Sequence, residues 1–205
     1  MKEHKKTKDK LIKAAINQFA DKGFEGASIR EIGAEAEINN TMISYHFGSK
    51  KKLYEACIDY VYNVSREKMA VIEYEIEFAQ ENNLSADIWY SILKKMFIKR
   101  ITFFADSKTR NLYMFLLRSR LPKVRADEQH LDRDVPITHK IIGRANGLEA
   151  DSPEVIKKGL VIMSLIHALI VSEYIVLYSF GYKKYTPKFI EEYAEFLLKE
   201  AIINK

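Results

Sequence analysis

Cysteine is nearly absent from this 205-residue chain, in which Cys57 stands alone. A disulfide within the chain is therefore excluded, and so is any metal site built from paired cysteines. Cys57 lies among apolar residues at helical spacing, which predicts a buried position and no redox or catalytic role.

The chain also lacks the sequence motifs of common enzyme classes. It has no Gly-rich phosphate loop, no G-x-S-x-G, no H-E-x-x-H and no Cys/His pairs at metal-ligand spacing. We therefore expect no catalytic residues, no metal site and no cofactor. The N-terminus, MKEHKKTKDK, is charged, and no apolar segment of a secretion signal follows it, so we expect a cytoplasmic protein.

Positive charge is concentrated in the first quarter of the chain. The net charge is +5, with an isoelectric point near 9.0. Residues 1–52 contain 11 Lys and Arg against 7 Asp and Glu, whereas the remainder contains 22 against 21. Such an excess is typical of a surface that faces nucleic-acid phosphates.

Residues 28–53 predict two short helices joined by a tight turn. Ser28 and Glu31 are spaced as a capping box, in which the hydroxyl and the carboxylate each accept a backbone N–H. Gly33 lies mid-helix, where glycine costs about 1 kcal/mol against alanine, so we expect it to allow close approach of a neighbouring helix. The inner face of this first helix is apolar: Ile29, Ile32 and Ala36.

The turn and the second helix follow directly. Ile38 is predicted to fill the space between the two helices, and Asn39 to cap the second one. Ile43 and Phe47 are predicted to face inward. The residues predicted on the open side are Asn40, Thr41, Ser44, Tyr45 and His46. Gly48 suits a left-handed position after the helix, and Ser49 caps the next one. This layout is a helix-turn-helix.

A run of three lysines opens that next helix: Lys50, Lys51 and Lys52. The helix macrodipole disfavours positive charge at this end, so helix stability gives no reason for the run. Phosphate binding does, because lysine charge and helix-start N–H groups converge on the same anion. On the preceding helix, Asn40, Thr41 and Tyr45 offer donors, acceptors and a methyl group suited to base edges or phosphates in a major groove.

The segment FADKGFEGASIREIGAEAEINNTMISYHFGSKKKLYEA resembles the N-terminal DNA-binding domain of the TetR family of bacterial transcriptional regulators. The matching features occur in order: Phe19 with Gly23 and Phe24, residues 29–36, and residues 45–50. Glu37 departs from the family, which usually has glycine in the turn, and this predicts a turn that tolerates a side chain. The later part, from RSRLPKV to GLEADSPEV, more loosely resembles the subgroup represented by the cephalosporin- and chloramphenicol-response regulator.

Together with the helical patterns, the resemblance implies an all-α fold in two domains. Residues 1–52 would form a three-helix, helix-turn-helix DNA-binding domain, and residues 53–205 a helical effector-binding and dimerisation domain. The implied DNA-binding residues are Ser28, Arg30, Asn39, Asn40, Thr41, Ser44, Tyr45, His46, Lys50 and Lys51. The implied partners are double-stranded DNA, a second copy of the chain and a small-molecule effector.

The first helix is predicted from Thr7, its N-cap, to Gly23, with Phe24 folding back on it. Its inner stripe is Leu11, Ile12, Ala15, Ile16 and Phe19. A basic arm precedes and enters this helix: Lys2, Lys5, Lys6, Lys8 and Lys10. The arm is either a solvated terminus or a contact to phosphates or the minor groove.

Helical patterns continue through the rest of the chain. The helix that begins after Ser49 extends to Val64 and beyond and links the domains, so tilting it would change the separation of two recognition helices in a dimer. A break at Asn82 and Asn83 and a polar loop at 121–136 separate the later helices. These are predicted at 85–104, 109–120, 137–147, 153–180 and 187–203, the last two opened by Ser152-Pro153 and Thr186-Pro187.

Residues 160–178 are apolar on nearly every side and approach the length of a membrane span. His167 and Glu173 lie inside this segment, and each would be costly in hydrocarbon. We therefore predict a helix buried between its own domain and a partner subunit, with a membrane span as the alternative. The resemblance agrees, since the last two helices of TetR-like proteins pack against their symmetry mates as a four-helix interface.

The resemblance also implies a small-molecule pocket in the second domain, and pockets are built from aromatic residues and a few polar groups. The candidates are Trp89, Phe97, Phe104, Tyr113, His139, His167 and Tyr174. The alternative for each of these residues is a place in the helical core or on the surface.

The predicted function is that of a ligand-responsive, sequence-specific transcriptional regulator, a repressor that a small molecule releases from a palindromic operator. One alternative is an architectural DNA-binding protein without an effector, which would show little sequence preference and have no pocket. Another is an all-helical binding or enzymatic module whose basic N-terminus contacts something other than DNA. The capping box and the three consecutive lysines argue against that last alternative.

Overall fold

The computed structural model describes residues 2–119 and 135–203. Within these ranges it contains ten α-helices and no strand, which confirms the all-α class. The helices are α1 (Lys2–Gly26), α2 (Ile29–Glu35), α3 (Thr41–Phe47), α4 (Lys50–Glu81), α5 (Ala86–Ala105), α6 (Ser107–Ser119), α7 (Val135–Asn146), α8 (Pro153–Val171), α9 (Glu173–Ser179) and α10 (Pro187–Ala201). Residues 121–134 of the predicted loop at 121–136 lie outside the described residues. The last two residues of that prediction, 135 and 136, belong to α7.

Two predicted helix bounds are wrong. α1 begins at Lys2 and not after Thr7, because lysine and glutamate favour helix and no glycine or proline interrupts the arm. The helix predicted at 153–180 ends at Val171, since Ser172 has the non-helical angles φ −129° and ψ 36°. The chain resumes as α9, and the axes of α8 and α9 are bent by 106°.

The chain divides into two compact units, Met1–Glu67 with Ser107–Glu128, and Lys68–Asp106 with Gln129–Lys205. α4 continues without a break from the first unit into the second. α6 belongs to the first unit, although it follows α5, a helix of the second. The division therefore differs from the predicted boundary after residue 52.

The core of the first unit is built from α1, α2, α3, the first half of α4, and α6. Buried side chains from these helices include Leu11, Phe19, Ile32, Ile43, Leu53 and Phe115. Tyr54 of α4 connects the aromatic rings, with ring centres 4.9 Å from Phe19, 5.1 Å from Phe24 and 5.0 Å from Phe115. Phe24 also stacks on Phe19 at 6.0 Å, which confirms that it folds back on α1.

Polar contacts hold α6 against α1. Asn111 Nδ2 donates to Asn17 Oδ1 at 3.1 Å, and the Arg118 guanidinium donates to the Asp21 carbonyl. Within the same core, Cys57 is fully buried, its Sγ lies 3.7 Å from the Ile12 carbonyl, and burial raises the pKa of the thiol well above its usual range. The predicted core position of Cys57 is confirmed.

α5 lies at the centre of the second unit. Its buried face consists of Trp89, Ile92, Leu93, Met96, Phe97, Arg100, Ile101 and Phe104. This helix packs against α7, α8 and α10. Lys94 pairs with Glu191 of α10 at 3.3 Å, and the hydroxyl of the buried Tyr193 donates to the Leu165 carbonyl of α8 at 2.8 Å.

α7 and α8 approach each other closely at Gly159. A Cβ on Gly159 would lie 2.3 Å from both Cδ2 and Nε2 of His139. The His139 ring is half-buried, its Nε2 has no hydrogen-bond partner in the described part of the chain, and burial lowers the pKa of the imidazole. His139 is therefore a neutral packing residue at neutral pH.

Gly159→Ala is expected to destabilise the protein by about 1–3 kcal/mol, because the new methyl group would overlap the His139 ring. Urea unfolding followed by circular dichroism measures the change. His139→Ala in the Gly159→Ala background removes the overlapping atoms, so the double variant should be more stable than the sum of the single changes. Strictly additive changes would show that this contact does not limit the spacing of α7 and α8.

Candidate nucleic-acid interface

A capping box begins α2, as predicted. The Glu31 backbone N donates to Ser28 Oγ at 3.1 Å, and the Ser28 backbone N donates to Glu31 Oε2 at 3.2 Å. Lys22 Nζ of α1 lies 2.7 Å from Glu31 Oε1, and this contact, with the Ser28 hydrogen bonds, lowers the pKa of the Glu31 carboxyl. The start of α2 is thereby tied to the end of α1.

Gly33 sets the distance between α2 and α3. A Cβ at this position would lie 2.9 Å from the Ile38 carbonyl oxygen and 3.1 Å from the Cα of Asn40. The Ile38 backbone N donates to the Gly33 carbonyl at 2.9 Å. The predicted close approach is confirmed, and it involves the backbone at the start of α3.

One residue of the turn between α2 and α3 has a left-handed backbone conformation. Glu37 has φ 55°, a conformation that costs an L-residue about 1–2 kcal/mol. Its side chain is exposed, so the turn accommodates it without a clash. The prediction that the turn tolerates a side chain is confirmed, and the tolerance carries a conformational cost.

Asn39 caps α3 through its side chain. Asn39 Oδ1 accepts from the Thr41 backbone N at 3.0 Å and from Thr41 Oγ1 at 2.8 Å. The predicted capping role of Asn39 is confirmed, although the residue directly before α3 is Asn40, which makes no capping bond of its own.

α3 has one buried face and one exposed face. Ile43 and Phe47 are buried, and the exposed residues are Asn40, Thr41, Ser44 and Tyr45. The Tyr45 side chain is 71% exposed, which is unusual for a large aromatic residue. Ser28 and Arg30, at the start of α2, are exposed as well.

The prediction that His46 lies on the open side is wrong. Its ring centre is 4.3 Å from that of His4 in α1, and both ring nitrogens are covered and have no hydrogen-bond partner among residues 2–119 and 135–203. Burial, followed by the charges of His4 and Lys8, lowers the pKa of His46. His46 faces α1 because α1 starts five residues earlier than predicted and its first turns cover this side of α3.

The three lysines at the start of α4 differ in their surroundings. Ser49 Oγ accepts from the Lys52 backbone N at 3.2 Å, which confirms the predicted cap. Lys50 Nζ lies 3.4 Å from the Glu25 carbonyl oxygen and 4.7 Å from the centre of the Phe24 ring. The Lys51 side chain is 81% exposed, with a long contact of 4.0 Å to Glu55. Lys50 therefore also connects α4 to the end of α1, whereas Lys51 extends into solvent.

The structure separates the seven residues predicted for a small-molecule site. Trp89, Phe97 and Phe104 are buried on α5, and His139 and His167 are half-buried on α7 and α8. Two of the predictions need correction, because Tyr113 lies on α6 in the first unit and Tyr174 is 79% exposed on α9, stacked on Tyr178.

Sequence reasoning missed two buried polar residues in the second unit, Arg100 and Thr138. Arg100 Nη1 lies 3.9 Å from Met163 Sδ of α8. A signal was present, since Arg100 stands at helical spacing within the apolar stripe of α5. The second unit also has an open cleft of about 310 Å³, whose lining includes Gln80, Asn83, Trp89, Arg144 and Glu149, so Trp89 is the one predicted residue that borders it.

Two other kinds of site are not found in the part of the chain that the structure describes. It contains no group of three or more His, Cys, Asp or Glu placed to hold a metal ion. Within the same ranges, no single helix has the length and apolarity of a membrane span, and α8 and α9 reach them only as a bent pair.

Residues 11–57 match the family described as bacterial regulatory proteins, TetR family. Over 166 residues the chain is 28% identical to the HTH-type transcriptional repressor NicS of Pseudomonas putida, covering 79% of this chain and 74% of NicS. Over 120 residues it is 29% identical to IcaR of Staphylococcus aureus, the negative transcriptional regulator of the biofilm operon icaADBC. That match covers 57% of this chain and little more than half, 55%, of IcaR.

The fold is shared with solved structures over nearly the whole chain. AibR, crystallised with isovaleryl coenzyme A and operator DNA, superposes with a TM-score of 0.67 over 94% of this chain and 96% of AibR, at 13% identity. The helix-turn-helix of α2 and α3 lies inside the matched residues 11–57. The helix-turn-helix part of this chain, residues 11–57, thus matches the TetR family of bacterial regulatory proteins.

Proposed function

We propose that this protein is a homodimeric repressor that binds an inverted-repeat operator and leaves it when a small molecule binds. The observation that carries the proposal is α3, a short helix whose buried face holds it in place while four polar or aromatic side chains stay exposed. NicS is named a repressor, and AibR was crystallised with both operator DNA and an acyl coenzyme A. The site of action would be the bacterial cytoplasm, and the role regulatory rather than enzymatic.

α3 acts as the recognition helix in this proposal. Asn40, Thr41, Ser44 and Tyr45 would contact base edges in the major groove, where each base pair presents a distinct pattern of donors and acceptors. Ser28, Arg30, Lys50, Lys51 and Lys52 would contact the phosphates that flank the groove. Two such helices in a dimer would enter successive major grooves about 34–36 Å apart.

The dimer would form through the apolar surface of α8 and α9. Its exposed large side chains are Ile156, Leu160, Val161, Val171, Tyr174, Ile175 and Tyr178. A continuous apolar surface of this kind is typical of an interface between subunits. α10 would lie at its edge, since its exposed residues are mainly charged: Lys188, Glu191, Glu192, Glu195 and Lys199.

Effector binding would act through the two covalent connections between the units. One is α4, and the other is the step from α5 to α6 at Asp106. An effector held among α5, α7 and α8, near Phe97, Arg100 and His167, would shift α4 and α6 and so change the spacing of the recognition helices. By linkage, DNA then weakens effector binding by the same factor. An effector that altered neither the spacing nor the DNA affinity would rule this mechanism out.

Selection of the purified protein against random duplex DNA, sequenced and repeated at two salt concentrations, is expected to enrich an inverted repeat. Each half-site should span one major groove, with centres about 10 base pairs apart or a multiple of that. Strong binding without sequence enrichment would instead favour an architectural DNA-binding protein. Absence of binding at both salt concentrations would contradict the proposed function.

Lys51→Ala is expected to weaken binding to every duplex, with no change in thermal stability. It should lower the slope of log affinity against log salt by nearly two, because each protomer of the bound dimer loses one phosphate contact worth about 0.9. Lys50→Ala should lower the slope similarly and also lower the melting temperature, because it loses the Glu25 and Phe24 contacts. Lys68→Ala, an exposed lysine of α4 in the second unit, is the control and should change neither. Loss of discrimination at a single base pair with an intact slope would argue against phosphate contact.

Tyr174→Glu is expected to convert the dimer to a monomer in sedimentation velocity, because it would bury a carboxylate in an apolar interface. Tyr74→Glu is the matched control, since Tyr74 of α4 is 68% exposed, close to the 79% of Tyr174, and lies outside the proposed interface. Dimers with both variants, or monomers with both, would show that α8 and α9 do not form the interface.

A further inference from the structure

The first two turns of α1 lie against the C-terminal half of α3. The His4 ring centre is 4.3 Å from that of His46 and 5.9 Å from that of Tyr45. Lys8 Nζ, one turn further along α1, lies 5.4 Å from the centre of the Phe47 ring. His4 and Lys8 thus continue the inner stripe of α1, which would otherwise begin at Leu11.

His46 is the residue of α3 that receives His4. Both its ring nitrogens are covered and neither has a hydrogen-bond partner in the described ranges, so the imidazole offers no polar atom to a base or a phosphate. Its ring supplies a surface for His4 instead. We therefore expect His46 to act through its contact with α1.

The start of α1 also carries positive charge. Lys5 and Lys6 follow His4 directly in the sequence, and the Lys6 side chain is exposed. The His4 ring in turn adjoins Tyr45, the most prominent exposed side chain of α3. Lysines placed beside a base-reading helix are suited to the phosphates that flank the same groove.

We propose that the first turn of α1 is a second DNA-contacting element, and that His46 is the positioning residue that holds it beside Tyr45. The proposal rests on the proposed function as a DNA-binding regulator. Lys6 contacts a phosphate, while His46 touches no DNA and acts through His4.

The contact has a defined pH dependence. The titratable and charged groups that face His46 are His4 and Lys8 from α1 and Tyr45 from its own helix. Since the packed state lowers the pKa of His46, it binds fewer protons than the open state. The docking of α1 is therefore complete above the ordinary histidine pKa and weakens as the pH falls from there toward the lowered pKa.

Amide hydrogen exchange of residues 6–10 tests the docking without DNA. His46→Ala is expected to speed exchange in this segment several-fold, because the ring that receives His4 is lost. His46→Phe keeps a ring and should leave exchange as in the wild type. Unchanged exchange in His46→Ala would overturn the positioning role.

Salt dependence of DNA affinity tests the contact itself, on both a random-sequence duplex and the duplex most enriched by selection. Lys6→Ala is expected to lower the slope by nearly two, since each protomer of the bound dimer loses one phosphate contact worth about 0.9. The same change in the His46→Ala background should have little further effect. Lys13→Ala, on the same helix two turns further on, is the control and should leave the slope unchanged in both backgrounds.

The pH profile separates positioning from general stability. Between about pH 8 and about pH 5, the wild-type slope is expected to decline relative to that of His46→Phe, which has no imidazole at position 46. Additive effects of the lysine and His46 changes, or parallel pH profiles, would overturn the proposal. Failure of the wild type to bind either duplex would overturn the proposed function and this DNA contact together, while the exchange result would still decide the docking.

Discussion

The close approach of backbone to backbone at Gly33 is the constraint on which the helix-turn-helix depends. A side chain there would require the backbone to shift, because a Cβ would lie 2.9 Å from the Ile38 carbonyl oxygen. The distance and direction of α3 relative to α2 are set by this contact, and the Ser28 and Asn39 caps then hold the two helix starts. The exposed face of α3 is what remains after Ile43 and Phe47 are buried, so the placement of its polar side chains follows from packing.

The parts of the site that were predictable from sequence are those determined by neighbours a few residues away. The capping box of Ser28, the cap by Asn39 and the inward face of α3 all involve partners within about four positions, where residue type and spacing are sufficient. The position of His46 was not predictable in this way, because its partner, His4, lies 42 residues earlier in a segment whose helical start has no cap signal. Periodicity gave α6 correctly as a helix, yet it cannot indicate that Tyr113 and Phe115 belong to the first unit.

The two predicted sites differ in how far sequence can identify their residues. A DNA-contacting surface consists of polar and basic side chains, which are seldom buried in a core. Such residues are therefore easy to distinguish in the sequence from the apolar residues that recur at helical spacing. A pocket for a small molecule is lined by the same aromatic residues that fill a core, and Phe97 and Phe104 are buried to 0% and 2% exposure. Arg100 is the more informative residue, because a guanidinium is rarely buried, and this one shares the buried face of α5 with Phe97 and Phe104.

The composition of the first unit gives a physical reason for coupling between the two halves of the chain. Three helices within residues 1–52 enclose a small core, and domains of that size bury too little surface to be very stable. α4 and α6 enlarge this core through Tyr54, Cys57 and Phe115. α6 belongs to this core although it follows α5, a helix of the second unit, with the single residue Asp106 between them. The core of the first unit is therefore completed by a segment that the chain reaches only after it has passed through α5.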